Sequence, residues 1–395
     1  MLIGWVWSCS EDEGPLQPIH PSLLDEVRYV SLVPDAYSNQ EIMVLNGQAS
    51  FGLTMHQFDR DKKLLYKNLP QSSVVRVSDG TLLKYPFQFK PKSTGRYTFT
   101  LEGYPARNVI QSSVSVVVLE DMTYDQVNMP VVFHYFASPD ESVSVSDISA
   151  VIATQLGKVN RAYANLNGSR DPNCVDSHIS FVPATVDPEG GPLVAPGLNI
   201  VRSAQVKFKD SNDDKLHEII WDGNFWSPRR YVNVWLARFE GNYSWARFPY
   251  YGATSAEFPS SAYGTFLKYE HLPFASVLAH EFGHMLNLYH NFDDECRSDV
   301  DLCRDTRDYQ RDYSSDFKGG LVRQDCKGVE FTGVNYMDYY PTENNTFTYE
   351  QRKRMRTTLV QCPFLPTPAN QAGRSAARRS HPKMSWQVDP VTLSW

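Results

Sequence analysis

No run of 18 or more apolar residues occurs in this 395-residue chain, so no segment of it has the length to cross a bilayer as a helix. Positive charge is also scarce. The 38 lysines and arginines are outnumbered by 45 acidic residues, a formal net charge of −7, and no basic stripe precedes the C-terminal tail. That balance argues against a nucleic-acid partner. The six cysteines, Cys9, Cys174, Cys296, Cys303, Cys326 and Cys362, include no C-x-x-C pair, which argues against a structural zinc. Three of them fall between 296 and 326 in a loop-like stretch, as in a disulfide-clamped loop of an exported protein. A hydrophobic content of 42% with 13% aromatic residues is that of a globular chain with a sizeable core, and the length suits two domains.

The first 24 residues read as a leader and linker. Met1 to Cys9 is apolar but short for a signal peptide and carries no positive charge. Val6-Trp7-Ser8-Cys9 is an imperfect copy of a bacterial lipoprotein cleavage box, in which Cys9 would be acylated and Ser10-Glu11-Asp12-Glu13 would act as a tether. A simple apolar start or a truncated signal is the competing reading. From Val27 to Leu119 the chain alternates apolar and polar residues, as in Tyr97-Thr98-Phe99-Thr100-Leu101 and Val114-Ser115-Val116, with no helical period. Short strands with turn signals in this stretch predict an all-β, immunoglobulin-like sandwich over residues 25–125. It is an accessory module or a structured pro-region, and the accessory module is the expectation.

A second domain is expected over residues 126–362. Pro130 to Phe136 reads as a buried strand, in which His134 is a satisfied strand residue rather than a metal ligand. Ser146 or Asp147 can cap a helix running to Tyr163, with Ile148, Val151, Ile152, Leu156 and Val159 on its apolar face. Ile179–Val182, Tyr231–Leu236 and a shorter Trp245–Pro249 read as further strands. Thr348 and Gln351 form a capping box for a last helix ending near Gln361. Residues 363–395, rich in Pro, Ser, Ala and Arg, read as a flexible, mildly basic tail.

Within the second domain, His280-Glu281-Phe282-Gly283-His284-Met285-Leu286-Asn287-Leu288-Tyr289-His290 carries the chemistry. On a helix from about Pro273 to Asn287, His280 and His284 leave the same face and can grip one metal. Val277, Leu278, Phe282 and Met285 would pack that helix on the sheet, with Ala279 and Gly283 allowing close approach. Glu281 lies beside the first ligand, where a carboxylate can take a proton from metal-bound water. A straight helix would carry His290 away from the metal. It joins the other two only if the helix stops near Asn287, and Asn tolerates the left-handed conformation of such a stop. Three neutral histidines leave one position of a tetrahedral ion open, the arrangement of a catalytic zinc, Zn2+, rather than a structural one.

This pattern resembles the metzincin metallopeptidases, whose H-E-x-x-H-x-x-G-x-x-H motif is followed by a Met-turn. Asn287 stands where the family usually has Gly. Asn335-Tyr336-Met337-Asp338-Tyr339 is the matching Met-turn. The resemblance implies an α+β catalytic domain with a mixed sheet, an active-site helix and a C-terminal helix. It makes Met337 the apolar floor under the histidines, and Tyr339 a ligand of the resting metal or a donor to the developing oxyanion. Within the clan the chain is most similar to the pappalysin family, on His290-Asn291-Phe292, Cys296, Asp305-Thr306, Asn335 to Tyr339, Phe347-Thr348, Gln351 and Arg354-Met355-Arg356. Where relatives commonly read Asp-Thr-Pro, this chain has Asp305-Thr306-Arg307. The family's order of pairing implies Cys296 with Cys326 and Cys303 with Cys362. A strand at the place of Trp245–Pro249 borders the cleft and pairs with extended substrate. Relatives hold calcium near the acidic segment Asp293, Asp294, Glu295, Asp299, Asp301, Asp305 and Asp308, so Ca2+ there stands beside a solvated acidic loop as the alternative.

The resulting expectation is a secreted or cell-surface zinc endopeptidase acting on protein or peptide substrates. His280, His284 and His290 hold the metal, Glu281 is the base and Tyr339 stabilises the oxyanion. Two alternatives compete: a zinc peptidase whose third ligand is a distant Glu, and a surface adhesin with a vestigial metal site.

Overall fold

The computed structural model describes residues 21–35, 41–45, 50–68, 72–105, 109–210, 212–242, 244–249, 262–297, 300–311, 322–339 and 346–372. Cys9 and its flanking box, Asp299 and the stretch after 372 lie outside the described residues.

Among the described residues from 29 to 120 the only regular elements are strands: β1 (Tyr29–Pro34), β2 (Ile42–Leu45), β3 (Phe51–Phe58), β4 (Leu64–Lys67), β5 (Val74–Val77), β6 (Leu82–Leu83), β7 (Phe87–Phe89), β8 (Gly95–Glu102), β9 (Ile110–Ser112) and β10 (Val114–Glu120). They build two five-stranded sheets, one of β4-β3-β1-β9 with β7 on β3, the other β2-β10-β8-β5-β6. Alternation places Phe51, Met55, Val75, Val77, Phe99, Val116 and Val118 in a common core between the sheets. Most pairings are antiparallel, but β1–β9 and β10–β2 run parallel.

The second unit has one mixed sheet at its centre. Its elements are β11 (Val127–Ala137), α1 (Val145–Tyr163), β12 (Ile179–Pro183), β13 (Leu198–Arg202), β14 (Lys207–Phe208), α2 (Asp214–Trp221), β15 (Val232–Phe239), β16 (Trp245–Ala246), β17 (Thr265–Lys268) and α3 (Ala275–Met285). The order is β12-β11-β15-β17-β16, with β13 also on β11 and β14 on β15. All pairings are parallel except β16, which runs antiparallel to β17 at the sheet's edge. Strands buried on both faces read as continuous apolar runs, as β11 and β15 do. Trp235, Phe133, Phe136, Phe181, Phe266 and Phe282 are fully buried in this core. Each such side chain contributes roughly 1.5–3 kcal/mol by leaving water.

Some boundaries differ from the sequence reading. The first helix is entered at Ser144, two residues early, because the Ser144 hydroxyl bonds Asp147 within the first turn. The strand at Trp245 ends after two residues, although Arg247 N still bonds Gly264 O. His134 is buried and bonded through both ring nitrogens, to Asn233 and Asn199, as a satisfied strand residue should be.

Past α3 come the short strands β18 (Phe292–Asp293), β19 (Tyr309–Gln310), β20 (Val322–Gln324) and β21 (Glu330–Thr332), then α4 (Tyr349–Gln361), entered through the Thr348–Gln351 capping box. Residues 363–372 are not a free tail. Phe364 and Leu365 are buried in the central core, and Pro368–Ala372 is helical, because α4 leaves an apolar seat beside it. Among the described residues no helix is long and apolar enough to cross a membrane.

Candidate metal centre

Helix α3 starts at Ala275 rather than Pro273, after a turn in which Phe274 N bonds His271 O. It ends in a Schellman motif. Leu288 N returns to Gly283 O at 2.9 Å, Asn287 N to His284 O at 2.9 Å, and Asn287 takes the left-handed φ of 72°. This stop turns the chain so that His290 comes back over the helix. Arg354 on α4 secures the turn by donating to the Asn287 carbonyl.

The three histidine Nε2 atoms converge. His284 lies 3.0 Å from both His280 and His290, and His280 lies 3.1 Å from His290. Among the described residues they are the one group of three or more His, Cys, Asp or Glu side chains close enough to share an ion. Nδ1 of His280 donates to Tyr336 O at 2.7 Å and Nδ1 of His284 to Leu288 O at 2.8 Å. Each of these rings is therefore protonated at Nδ1 and points a lone pair at the common centre. Lone pairs held this close repel unless a cation lies between them. Burial holds His280 down to about pH 4 and His284 to about 3, the latter also through its neighbour His280. Burial likewise pushes His290 well down, with His284, His280 and Arg311 adding to it. Neutral imidazoles are what a metal needs.

Glu281 is buried, and its Oε2 has no hydrogen-bond partner. Burial alone pushes its carboxyl up to about 8. A dication at the histidine centre would stabilise the carboxylate and draw it back down. Three convergent nitrogens, with a buried carboxylate on the residue next to His280 whose Oε2 has no partner, fit a divalent ion, and the nitrogen set suits zinc with Zn–N bonds near 2.0–2.1 Å.

Beneath the histidines Met337 is fully buried, and Gly283 makes room for it: a Cβ on Gly283 would come within 2.5 Å of the Met337 sulfur. Asn335 shapes this turn by accepting from Met337 N and exchanging bonds with Gln351, the capping residue of α4. The Tyr339 ring stands 4.8 Å from that of His290 and 5.9 Å from that of His280. Phe292 stacks on His290 at 4.7 Å and 12°, and joins Tyr309, Phe331 and Tyr339 in one aromatic cluster. Asp338, between the floor and the tyrosine, accepts from Tyr309 and faces the buried Arg323, which also bonds Tyr339 O. Of these supporting residues Tyr309, Arg323 and Phe331 lie 19 to 41 positions from His290, and no local motif announces them.

Among the described residues the acids of the loop do not converge. Asp301 accepts from Thr306 and Cys303 N, and Asp305 from Thr348 and Glu350 N, so both serve turns and the helix entry. Cys296 and Cys326 are bonded. Cys303 and Cys362 are separate buried thiols, and the pairing expected between them does not form.

The family profile described as pregnancy-associated plasma protein-A, of peptidase family M43, matches residues 212–360. No curated protein sequence is significantly similar to the chain. Among solved structures, mature mirolysin of Tannerella forsythia in complex with a cleaved peptide is 22% identical, with a TM-score of 0.45 over 59% of this chain and 92% of that one. Mirolysin in complex with a compound numbered 9 is 24% identical over the same shares, with the same TM-score. A promirolysin mutant of Tannerella forsythia is 22% identical, with a TM-score of 0.45 over 60% of this chain and 82% of that one.

Proposed function

We propose that this chain, whose residues 212–360 match the peptidase family M43 profile, is a pappalysin-like metzincin acting on protein or peptide substrates, a secreted or surface zinc endopeptidase that splits peptide bonds with a glutamate-activated water. The convergence of three Nε2 atoms within 3.0–3.1 Å, with the buried Glu281 next to the first of them in the chain, carries this reading. In it, His280, His284 and His290 hold the metal. Zinc supplies an acidified water and polarises the scissile carbonyl.

The chain's own residues do the rest. Glu281, sealed from bulk water, takes the proton of the attacking water and returns it to the leaving amine. The Tyr339 hydroxyl donates to the developing oxyanion. The edge strand β16 offers main-chain groups to an extended substrate, which lets one cleft accept many sequences. Residues 126–362 form the catalytic domain in this reading, and 25–125 an accessory sandwich of immunoglobulin-like plan.

The test is hydrolysis of casein or gelatin by the full chain. We expect activity in the zinc-loaded protein, its loss on chelation and its return with zinc. E281Q should keep the metal and lose turnover by several orders of magnitude. A metal-loaded parent without activity would favour the binding-protein alternative.

A further inference from the structure

Nothing in the proposed chemistry uses Arg307. Its guanidinium is nearly buried, with 9% of the side chain exposed. Nη2 donates to the main-chain carbonyl of Asp35 in the N-terminal sandwich at 3.1 Å, and Nη1 lies 3.4 Å from Asp325 Oδ2 in the turn between β20 and β21. The guanidinium carbon lies 5.5 Å from the centroid of the Phe331 ring. Phe331 contacts Tyr309 edge-on at 5.8 Å, Tyr309 contacts Phe292 at 5.5 Å, and Phe292 stacks on the ligand His290.

The same hairpin meets the sandwich twice more, through Lys67 with Glu330 and Glu41 with Lys327. Those exposed pairs add little. A buried guanidinium shared between two units is different, because its partners lose compensation when it goes.

We propose that Arg307 is a positioning residue that uses the sandwich as a fixed wall for the aromatic packing behind His290. The sandwich is then a working part of the metal centre, and its release would not activate the enzyme as release of a pro-region does. This rests on the metallopeptidase reading.

The experiment measures zinc dissociation constants by chelator competition, together with kcat and KM, on the full chain carrying R307A, R307K or V75A. Val75 is fully buried in the sandwich core on the sheet that does not contain β1, the strand leading to Asp35, so V75A lowers stability while leaving the Arg307 contact in place. Outer contacts that orient ligands change metal affinity by 10–100-fold. We expect R307A to weaken zinc at least tenfold and to lower kcat more than it alters KM. R307K, which keeps the charge without the fork, should fall between R307A and the parent and serves if R307A does not fold. V75A should bind zinc as the parent does. Parental zinc affinity in folded R307K and R307A overturns the proposal, as does an equal loss in V75A. A parent that binds no zinc overturns the metallopeptidase reading as well.

Discussion

Nε2 of His280 and Nε2 of His290 lie 3.1 Å apart across ten residues of chain, and the turn that brings them together is made at Asn287 with φ of 72°. Left-handed backbone costs an ordinary L-residue roughly 1–2 kcal/mol, less for Asn and nothing for Gly. N287G should therefore match the parent in stability and zinc affinity. N287V should lose about 1–2 kcal/mol in denaturant unfolding and bind zinc more weakly. Equal behaviour of the two variants would show that the turn is not set by this residue.

Gly283 and Met337 form a second tight relationship, since a methyl group on Gly283 would lie 2.5 Å from the Met337 sulfur. G283A should cost about 1–3 kcal/mol by overpacking and displace the floor under His280 and His284. Thermal melts and zinc affinity check it. A variant with parental values in both would remove Met337 from the account.

Glu281 makes a pH prediction for the chelated protein. Its folded carboxyl is raised to about 8, so its contribution to stability is full below the unfolded carboxylate range and is lost as pH rises through 8. E281Q should thus be more stable than the parent, by a margin that grows between about pH 4.5 and 8 to the order of a few kcal/mol. Zinc should shrink the margin by stabilising the carboxylate. Unfolding curves at several pH values, with and without zinc, decide this; a margin that does not change with pH would contradict it.

The Tyr339 ring meets that of His290 edge-on at 4.8 Å and lies tilted to that of His280 at 5.9 Å. Y339F should retain zinc at parental affinity and lose roughly 10²–10³-fold in kcat, the effect of one missing oxyanion donor. Unchanged kcat would assign the oxyanion to another group.

The centre itself was legible because its parts are local. Helical spacing puts His280 and His284 on one face, Asn287 marks the stop, and Thr348 with Gln351 marks the helix that steadies the Met-turn. What supports it was not legible. The stacking of Phe292 on His290, the Asp338–Arg323–Tyr309 group and the reach of Arg307 to Asp35 join residues from separate loops, and only the fold brings them together. The short elements β13, β17 and α2 escaped for a different reason: four to eight residues give too little periodicity to distinguish a strand from a buried turn of helix. Two expectations failed on packing. Phe364 and Leu365 fill an apolar seat that a polar composition nearby conceals, and Cys303 and Cys362 are held in separate buried sites.

The most direct test is zinc stoichiometry by elemental analysis of the purified full chain and of H290A. The account predicts one zinc per parent chain, removable by chelator, and a variant that binds far more weakly with peptide hydrolysis lost. A parent without zinc, or an H290A variant that keeps a full equivalent and cleaves peptide, would contradict it.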